Sequence, residues 1–331
     1  MPLPPTAHRA ALSAAALLLS SASVLAGAGG ALSAPASPLL VFPGQDHSAV
    51  HDFIGSATKS VDMTMYELRD TRTVDALVNR EKAGVKVRVV LDAKHTSVNG
   101  SAYKALKAAG VGVVYSSSDY VYTHQKTVTV DGAKSLILTG NLDSKYYASS
   151  RDYGVFDTDA ADVAAIEKTF DADYARTAVT PSDGDHLVWS PTDSEERLLA
   201  LINGAQHSLD LEQLEFGDKT LVDAVVAAEG RGVTVRVVGM NPDSYGSYFD
   251  QVKQAGGTVV TFSSTEGLYI HAKAIVADHG TSTAKVFAGS ENFSDNSLNN
   301  NRELGLIVNS PEVLDGIEST FTTDFADGTP Y

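Results

Sequence analysis

The chain has 331 residues, with 25 Lys plus Arg against 41 Asp plus Glu, a formal net charge of −16, 43% hydrophobic residues and no cysteine. The ordinary apolar fraction excludes a disordered chain, and the acidic surplus argues against a strongly basic nucleic-acid binder. Without cysteine there is no disulfide, no thiolate metal ligand and no thiol nucleophile.

Residues 1–38 are rich in Ala, Ser, Leu, Gly and Pro and carry no acidic residue. Arg9 precedes an apolar run from Ala10 to Ala26, and Ala26-Gly27-Ala28 supplies the small residues that a signal peptidase reads. The pattern predicts a signal peptide over residues 1–28 and a flexible leader over 29–38. The remainder is then an exported, soluble protein.

Beyond the leader the chain is duplicated. SVDMTMYEL (Ser60 to Leu68) returns as SLDLEQLEF (Ser208 to Phe216), and GVKVRVV from Gly84 returns as GVTVRVV from Gly232. YTHQKTVTVD from Tyr122 returns as YIHAKAIVAD from Tyr269, and RDYGVF from Arg151 as RELGLI from Arg302. The offset stays between 147 and 151 throughout, the mark of two copies of one unit.

Each copy reads as one series of elements. A helix starts near Asp46, or Asp193 in the second copy, and an apolar strand follows. The next helix spans Thr73 to Lys82, or Leu221 to Gly230, and a Gly-Val start opens a β-branched strand. A third helix spans Ser101 to Ala109, or Tyr245 to Ala255. Another strand, three short strands and a final helix close the unit. Alternating β and α elements predict an α/β fold, with a mostly parallel or mixed sheet flanked by helices. Two such lobes, 39–176 and 186–331, joined by the polar linker 177–185, are expected to pack about a pseudo-two-fold axis.

The polar positions that repeat carry the chemistry. His124 and Lys126, like His271 and Lys273, stand two apart on a strand and share a face. Four residues beyond each Lys comes an aspartate, Asp131 or Asp278. Two imidazoles and two ammonium groups in one cleft suit a phosphate diester, with the lysines neutralising oxygens while one imidazole attacks and the other protonates the leaving oxygen. Thr139-Gly140-Asn141 and Ser290-Glu291-Asn292 offer small, hydroxyl and amide residues for phosphate oxygens. Asp152 and Glu303 are placed to accept from an imidazole nitrogen and fix its tautomer.

The repeated H-x-K-x4-D followed by an Asn element resembles the phospholipase D superfamily in its two-motif, single-chain form, over about Leu39 to the end. The resemblance implies a phosphohistidine mechanism with no metal or other cofactor. It makes His124 the nucleophile and His271 the general acid and base, the reverse assignment staying open. It places Lys126, Lys273, Asn141 and Asn292 on the phosphate, and the motif aspartates read as structural. The first copy departs from the pattern, with Leu138 and Thr139 where the second has Gly289 and Ser290.

The leading expectation is a secreted, monomeric phospholipase D that releases phospholipid headgroups, and can transfer them to an alcohol, after transient contact with a membrane surface. No stable nucleic-acid complex is expected, because the net charge opposes neutralisation of many phosphates. A secreted nuclease of the same chemistry, a cardiolipin-synthase-like transferase and an inactive binding module are the alternatives. Glu67 and Glu215, and Tyr120, Tyr122 and Tyr269, flank the motifs as supporting or packing residues. The unduplicated histidines read as surface or cap residues.

Overall fold

The computed structural model describes residues 1–2, 38–263 and 267–331. The signal segment and leader expected before Leu39 therefore fall almost wholly outside the described residues. The first copy runs β1 (Leu39–Phe42), α1 (Ser48–Gly55), β2 (Ser60–Met65), α2 (Thr71–Lys82), β3 (Lys86–Leu91), α3 (Thr96–Ala108) and β4 (Gly112–Tyr115). It closes with β5 (Lys126–Val130), β6 (Lys134–Leu138), β7 (Ser150–Asp157) and α4 (Ala160–Ala175). The second copy repeats this as β8 (Leu187–Ser190), α5 (Ser194–Gly204), β9 (Ser208–Gln213), α6 (Lys219–Gly230), β10 (Thr234–Met240), α7 (Pro242–Ala255) and β11 (Thr258–Phe262). There follow β12 (Tyr269–Ile270), β13 (Lys273–Ala277), β14 (Lys285–Gly289), the short α8 (Asp295–Asn299), β15 (Glu303–Val308), α9 (Pro311–Asp327) and β16 (Thr329–Pro330).

Local chemistry accounts for the recurring boundaries. The Asp70 carboxylate accepts from the Arg72 amide at the start of α2, and Asp218 accepts from Leu221 at the start of α6. Gly84 and Gly232 follow the ends of these helices with φ of 86° and 88°, a left-handed turn that feeds directly into β3 and β10. The helix expected near Asp193 has a different device at its start. Asp193 accepts from the Trp189 amide, so it ties the turn before α5 instead of capping the helix.

The first sheet is ordered β1-β7-β6-β5-β2-β3-β4 and the second β8-β15-β14-β13-β9-β10-β11-β16. Within these orders, the β2-β3-β4 and β9-β10-β11 portions are parallel. The strands from β5 to β7 and from β13 to β15 have no crossover helices between them, so they pair antiparallel. The sheets are thus mixed, one of the two arrangements that the repeating β-α pattern allowed.

Two contacts join the lobes where the chemistry lies. β12, immediately before His271, adds in parallel to β7 of the first lobe, with Tyr269 opposite Ser150 and Ile270 opposite Arg151. Thr123, immediately before His124, forms the mirror-image bridge to Arg302. Arg151 pairs with Asp324 on α9, and Arg302 with Asp173 on α4, so each motif arginine holds the last helix of the other lobe. Ile137, Tyr153 and Val155 from lobe one share a buried cluster with Trp189, Ala274, Val276, Leu304 and Leu306 from lobe two. At roughly 1.5–3 kcal/mol per fully buried large apolar side chain, this shared core favours the joined lobes over separated ones. A second cluster, around Phe216, Phe249, Phe287 and Phe293, fills lobe two.

Among the described residues no helix is long and apolar enough to cross a membrane.

Candidate active site

His124 and His271 lie just ahead of β5 and β13, where each lobe's H-x-K segment meets the other lobe's β15 or β7. The carboxylates are crossed. His124 Nδ1 donates to Glu303 Oε2 at 2.6 Å, and His271 Nδ1 donates to Asp152 Oδ1 at 2.9 Å. Each imidazole is therefore oriented by the lobe that does not carry it. With the Nδ1 proton held, Nε2 carries the ring lone pair, and Lys273 Nζ lies 3.5 Å from that of His271.

The carboxylates are themselves fully supplied with donors. Glu303 accepts from Ser297 Oγ at 2.6 Å and Asn301 Nδ2 at 2.9 Å. Asp152 accepts from Thr139 Oγ1 at 2.7 Å and Ser150 Oγ at 2.6 Å. Burial pushes both carboxyls up, but the imidazole each one holds, a neighbouring lysine and a donating serine hydroxyl together outweigh it, leaving Glu303 lowered and Asp152 at about 2.

This geometry corrects the reading of the hydroxyls. Thr139 donates to Asp152 and accepts from the Tyr153 amide, while Ser290 accepts from the Leu304 amide. Both are buried and serve the scaffold, not a phosphate oxygen. The apparent loss of the motif glycine at Leu138 is also explained. In copy two, Gly289 leaves room for the Glu291 side chain, whose Oε2 would lie 2.4 Å from an added Cβ. In copy one the glycine stands two residues later, at Gly140, where a Cβ would lie 2.4 Å from Asp152 Cγ.

Lys126 and Lys273 are fully buried. Lys126 Nζ donates to the His124 carbonyl and sits 4.9 Å from the Tyr66 ring centroid. Lys273 Nζ donates to the His271 carbonyl at 2.5 Å and reaches the Thr139 carbonyl of the other lobe at 3.5 Å. Burial first, and the facing Lys273 ammonium second, bring Lys126 down to about 7. Burial also lowers Lys273, brings His124 to about 4 and lowers His271, in each case against the pull of the nearby carboxylates. The site sets two desolvated lysines and two imidazoles against two ionised carboxylates, and the ammonium groups are held down by burial more than the carboxylates raise them. The oxygen atoms of the Asn141 and Asn292 side chains are buried without a hydrogen-bond partner. Asn141 lines a cavity at the cleft.

Sulfate binding at pH 8 is expected to take up protons, because an anion beside Lys126 restores the ammonium that burial depresses. Calorimetric titrations in buffers of different ionisation enthalpy measure this as up to about one proton per site, absent in Lys126→Met. Binding without uptake contradicts the depressed ammonium.

The motif aspartates stand at the far ends of β5 and β13. Asp131 accepts from the Thr58, Lys59 and Ser60 amides, and Asp278 from those of Gln206, His207 and Ser208. They clamp each hairpin onto the start of β2 or β9 and touch neither imidazole.

Residues outside the motif pattern also reach the cleft. Tyr66 packs edge-on against His124 at 4.5 Å and against His95 at 4.4 Å between ring centroids. Asp92 binds His95 Nδ1 at 3.1 Å and accepts from the Thr123 amide at 2.7 Å, beside His124. Copy two has Leu214 where copy one has Tyr66, so this cluster breaks the symmetry. His47 is stacked between Phe42 at 4.0 Å and Tyr147 at 3.3 Å and lines the cavity beside His271. His47 and His95 both stand at the N-cap positions of their helices, α1 and α3, as cap residues, and their rings also reach the cleft; neither is duplicated, so the repeat carried no signal for that second role. Arg151 with Asp324, and Arg302 with Asp173, are duplicated, and their equal spacing was the available signal. Of the flanking tyrosines, Tyr269 lines the cavity, Tyr122 packs edge-on against Tyr66, and Tyr120 lies under the Arg302 guanidinium.

The sequence pattern of the family described as "Cardiolipin synthase, PLD-like domain" matches residues 50–174 and 198–325. The chain belongs to the phospholipase D superfamily. It is 34% identical over 87 residues to a mitochondrial cardiolipin hydrolase of Danio rerio, covering 26% of this chain and 37% of that protein. It is 24% identical to a cardiolipin synthase of Oceanobacillus iheyensis over 85% of this chain and 67% of that protein. The chain thus spans well under half of the first relative and about two thirds of the second. A phosphatidylserine synthase of Haemophilus influenzae has the same fold, with a TM-score of 0.69 at 11% identity over 89% of this chain and 87% of that one. The two matched segments fall within the two lobes, and each contains one H-x-K motif.

Proposed function

We propose that the chain breaks the headgroup ester of a phospholipid through a phosphohistidine on His124. His124 Nε2 attacks phosphorus, the bond from phosphorus to the headgroup oxygen breaks, and protonated His271 gives that oxygen its Nε2 proton. His271 then takes a proton from water, or from an acceptor alcohol, whose oxygen displaces His124 and releases phosphatidic acid or the exchanged lipid. The lysines neutralise the nonbridging oxygens, and the bound anion raises the proton affinity of the His271 imidazole that burial lowers.

One observation carries the assignment of roles. The cavity of about 470 Å³ at the cleft is bordered by His271 and Asp152. A leaving alcohol seated there lies against His271, and the nucleophile attacks from the opposite side. The relatives named for cardiolipin support a lipid diester as substrate. The acidic surplus supports the same choice over a polyanion.

The test is a side-by-side assay of the full chain on mixed phospholipid vesicles and on single-stranded DNA. Headgroup release is expected, with phosphatidylethanol forming when ethanol is added. DNA cleavage without headgroup release overturns the proposal.

A further inference from the structure

We propose that Tyr66, tethered by His95 and Asp92, is a positioning residue for the first H-x-K pair: its ring aligns the His124 imidazole and its face holds the Lys126 ammonium. The inference rests on the phosphohistidine reading and says what makes the two copies unequal within it.

The ring touches both members of the pair. It meets the His124 ring at 4.5 Å between centroids and 73° between planes, and Lys126 Nζ lies 4.9 Å from its centroid. Glu303 fixes the tautomer of His124 through one hydrogen bond, about which an imidazole can still swing. A ring packed beside it removes that freedom, and a displacement of about 1 Å at a reacting group costs about 10²-fold in rate. The face of an aromatic ring also attracts an ammonium group, most strongly where water is excluded. This attraction opposes burial and the Lys273 charge, which pull Lys126 down, and adds to Glu303, Asp152 and Glu67, which pull it up.

Tyr66 is held at both ends. Asn99 on α3 donates to the Tyr66 carbonyl at 2.9 Å and accepts from the Leu68 amide at 2.9 Å. At the far end of the side chain, buried Asp92 accepts from His95 Nδ1 at 3.1 Å, so His95 Nε2 accepts from the Tyr66 hydroxyl at 3.2 Å. The other Asp92 oxygen accepts from the Thr123 amide at 2.7 Å. One carboxylate thus ties the ring to the backbone beside His124. Burial first, and the Asp92 charge second, push the Tyr66 hydroxyl up, so it stays a donor. The second copy has Leu214 and Met240 at the places of Tyr66 and Asp92, and these offer His271 and Lys273 neither ring nor carboxylate.

The experiment reads kcat/KM of the full chain on bis(p-nitrophenyl) phosphate as a function of pH. This quantity reports the attack step from the free enzyme. p-Nitrophenolate needs no proton from His271, so the alkaline limb follows loss of the Lys126 ammonium, which stands at about 7. Tyr66→Leu, which installs the residue of the second copy, is expected to lower kcat/KM about 10²-fold and to move that limb down by about one pH unit. Tyr66→Phe keeps the ring without the tether, and is expected to lose less than about tenfold with the limb in place. Tyr66→3,4,5-trifluorophenylalanine keeps the shape of the Phe variant and weakens the ring face, so its limb is expected about half a pH unit lower. These two near-isosteric variants carry the test by themselves if Tyr66→Leu does not fold. Coincident limbs in the two, or wild-type kcat/KM in Tyr66→Leu, overturns the inference and leaves the phosphohistidine reading standing. A wild-type chain that releases no p-nitrophenol overturns that reading, and the inference with it.

Discussion

His124→Ala is expected to abolish the burst of p-nitrophenol from phosphatidyl-p-nitrophenol and to lower turnover at least about 10⁴-fold. His271→Ala is expected to behave differently on the same substrate. p-Nitrophenolate leaves without a proton, so the burst persists at close to one equivalent per chain. Turnover then stalls, because no base activates water against the phosphohistidine. The stalled protein carries covalent phosphatidate that survives denaturation in base and is lost in acid. The two single variants are read in one stopped-flow trace, so the roles are separated by shape as well as by rate. A burst in His124→Ala and none in His271→Ala would exchange the assignments. The expectation follows from the proposed seating of the leaving group in the cavity that His271 borders.

The second large effect concerns the crossed carboxylates. Glu303→Gln is expected to slow the burst, and Asp152→Asn to slow the phase after it, each by roughly 10²–10⁴-fold. Glu303 sits 2.6 Å from His124 in the other lobe, and Asp152 sits 2.9 Å from His271. Removing either charge frees the Nδ1 proton and lets the ring take the wrong tautomer, with Nε2 protonated where its lone pair is needed. If each carboxylate served the imidazole of its own lobe, the two phenotypes would be interchanged. The crossed arrangement also predicts coupling. Glu303→Gln added to His124→Ala should cost almost nothing more, whereas Glu303→Gln added to His271→Ala should remove the burst that the latter retains.

The legible part of the site was the part that repeats. His124 with Lys126 and His271 with Lys273 stand out because cations recur at one face of otherwise apolar strands. Asp131 and Asp278 were read as structural through the family resemblance, and the structure supplies the reason. A four-residue run of strand carries them away from the lysines, and they end at the opposite edge of the sheet, binding backbone amides. Thr139 and Ser290 were less legible. A hydroxyl beside a glycine in a phosphate-type motif suits an anion, and nothing in the chain order shows that Asp152 and the Leu304 amide reach these hydroxyls first. His47 and His95 escaped because neither has a counterpart in the second copy and both depend on rings brought from distant segments.

Whether the sheets are mostly parallel or mixed was left open by the element pattern for a related reason. Alternating β and α elements describe the chain up to β4 and β11, but of the connections within β5–β7 and β13–β15 only that from β14 to β15 holds a helix, the short α8. Short links force antiparallel pairing, and that portion carries the motifs.

The sequence by itself determined that there are two copies of one α/β unit, acidic and without thiols, each carrying one imidazole–ammonium pair. These are properties of residue order, readable because duplication and strand alternation repeat along the chain. The tertiary structure decided three further things. It decided which carboxylate serves which imidazole, through the additions of β12 to β7 and of Thr123 to Arg302. It decided that Lys126 falls to about 7, because desolvation and the field of Lys273 act through space. It also decided that the cavity opens beside His271, since its wall is built from Phe42, His47, Tyr147 and Tyr269, which chain order scatters over more than two hundred residues.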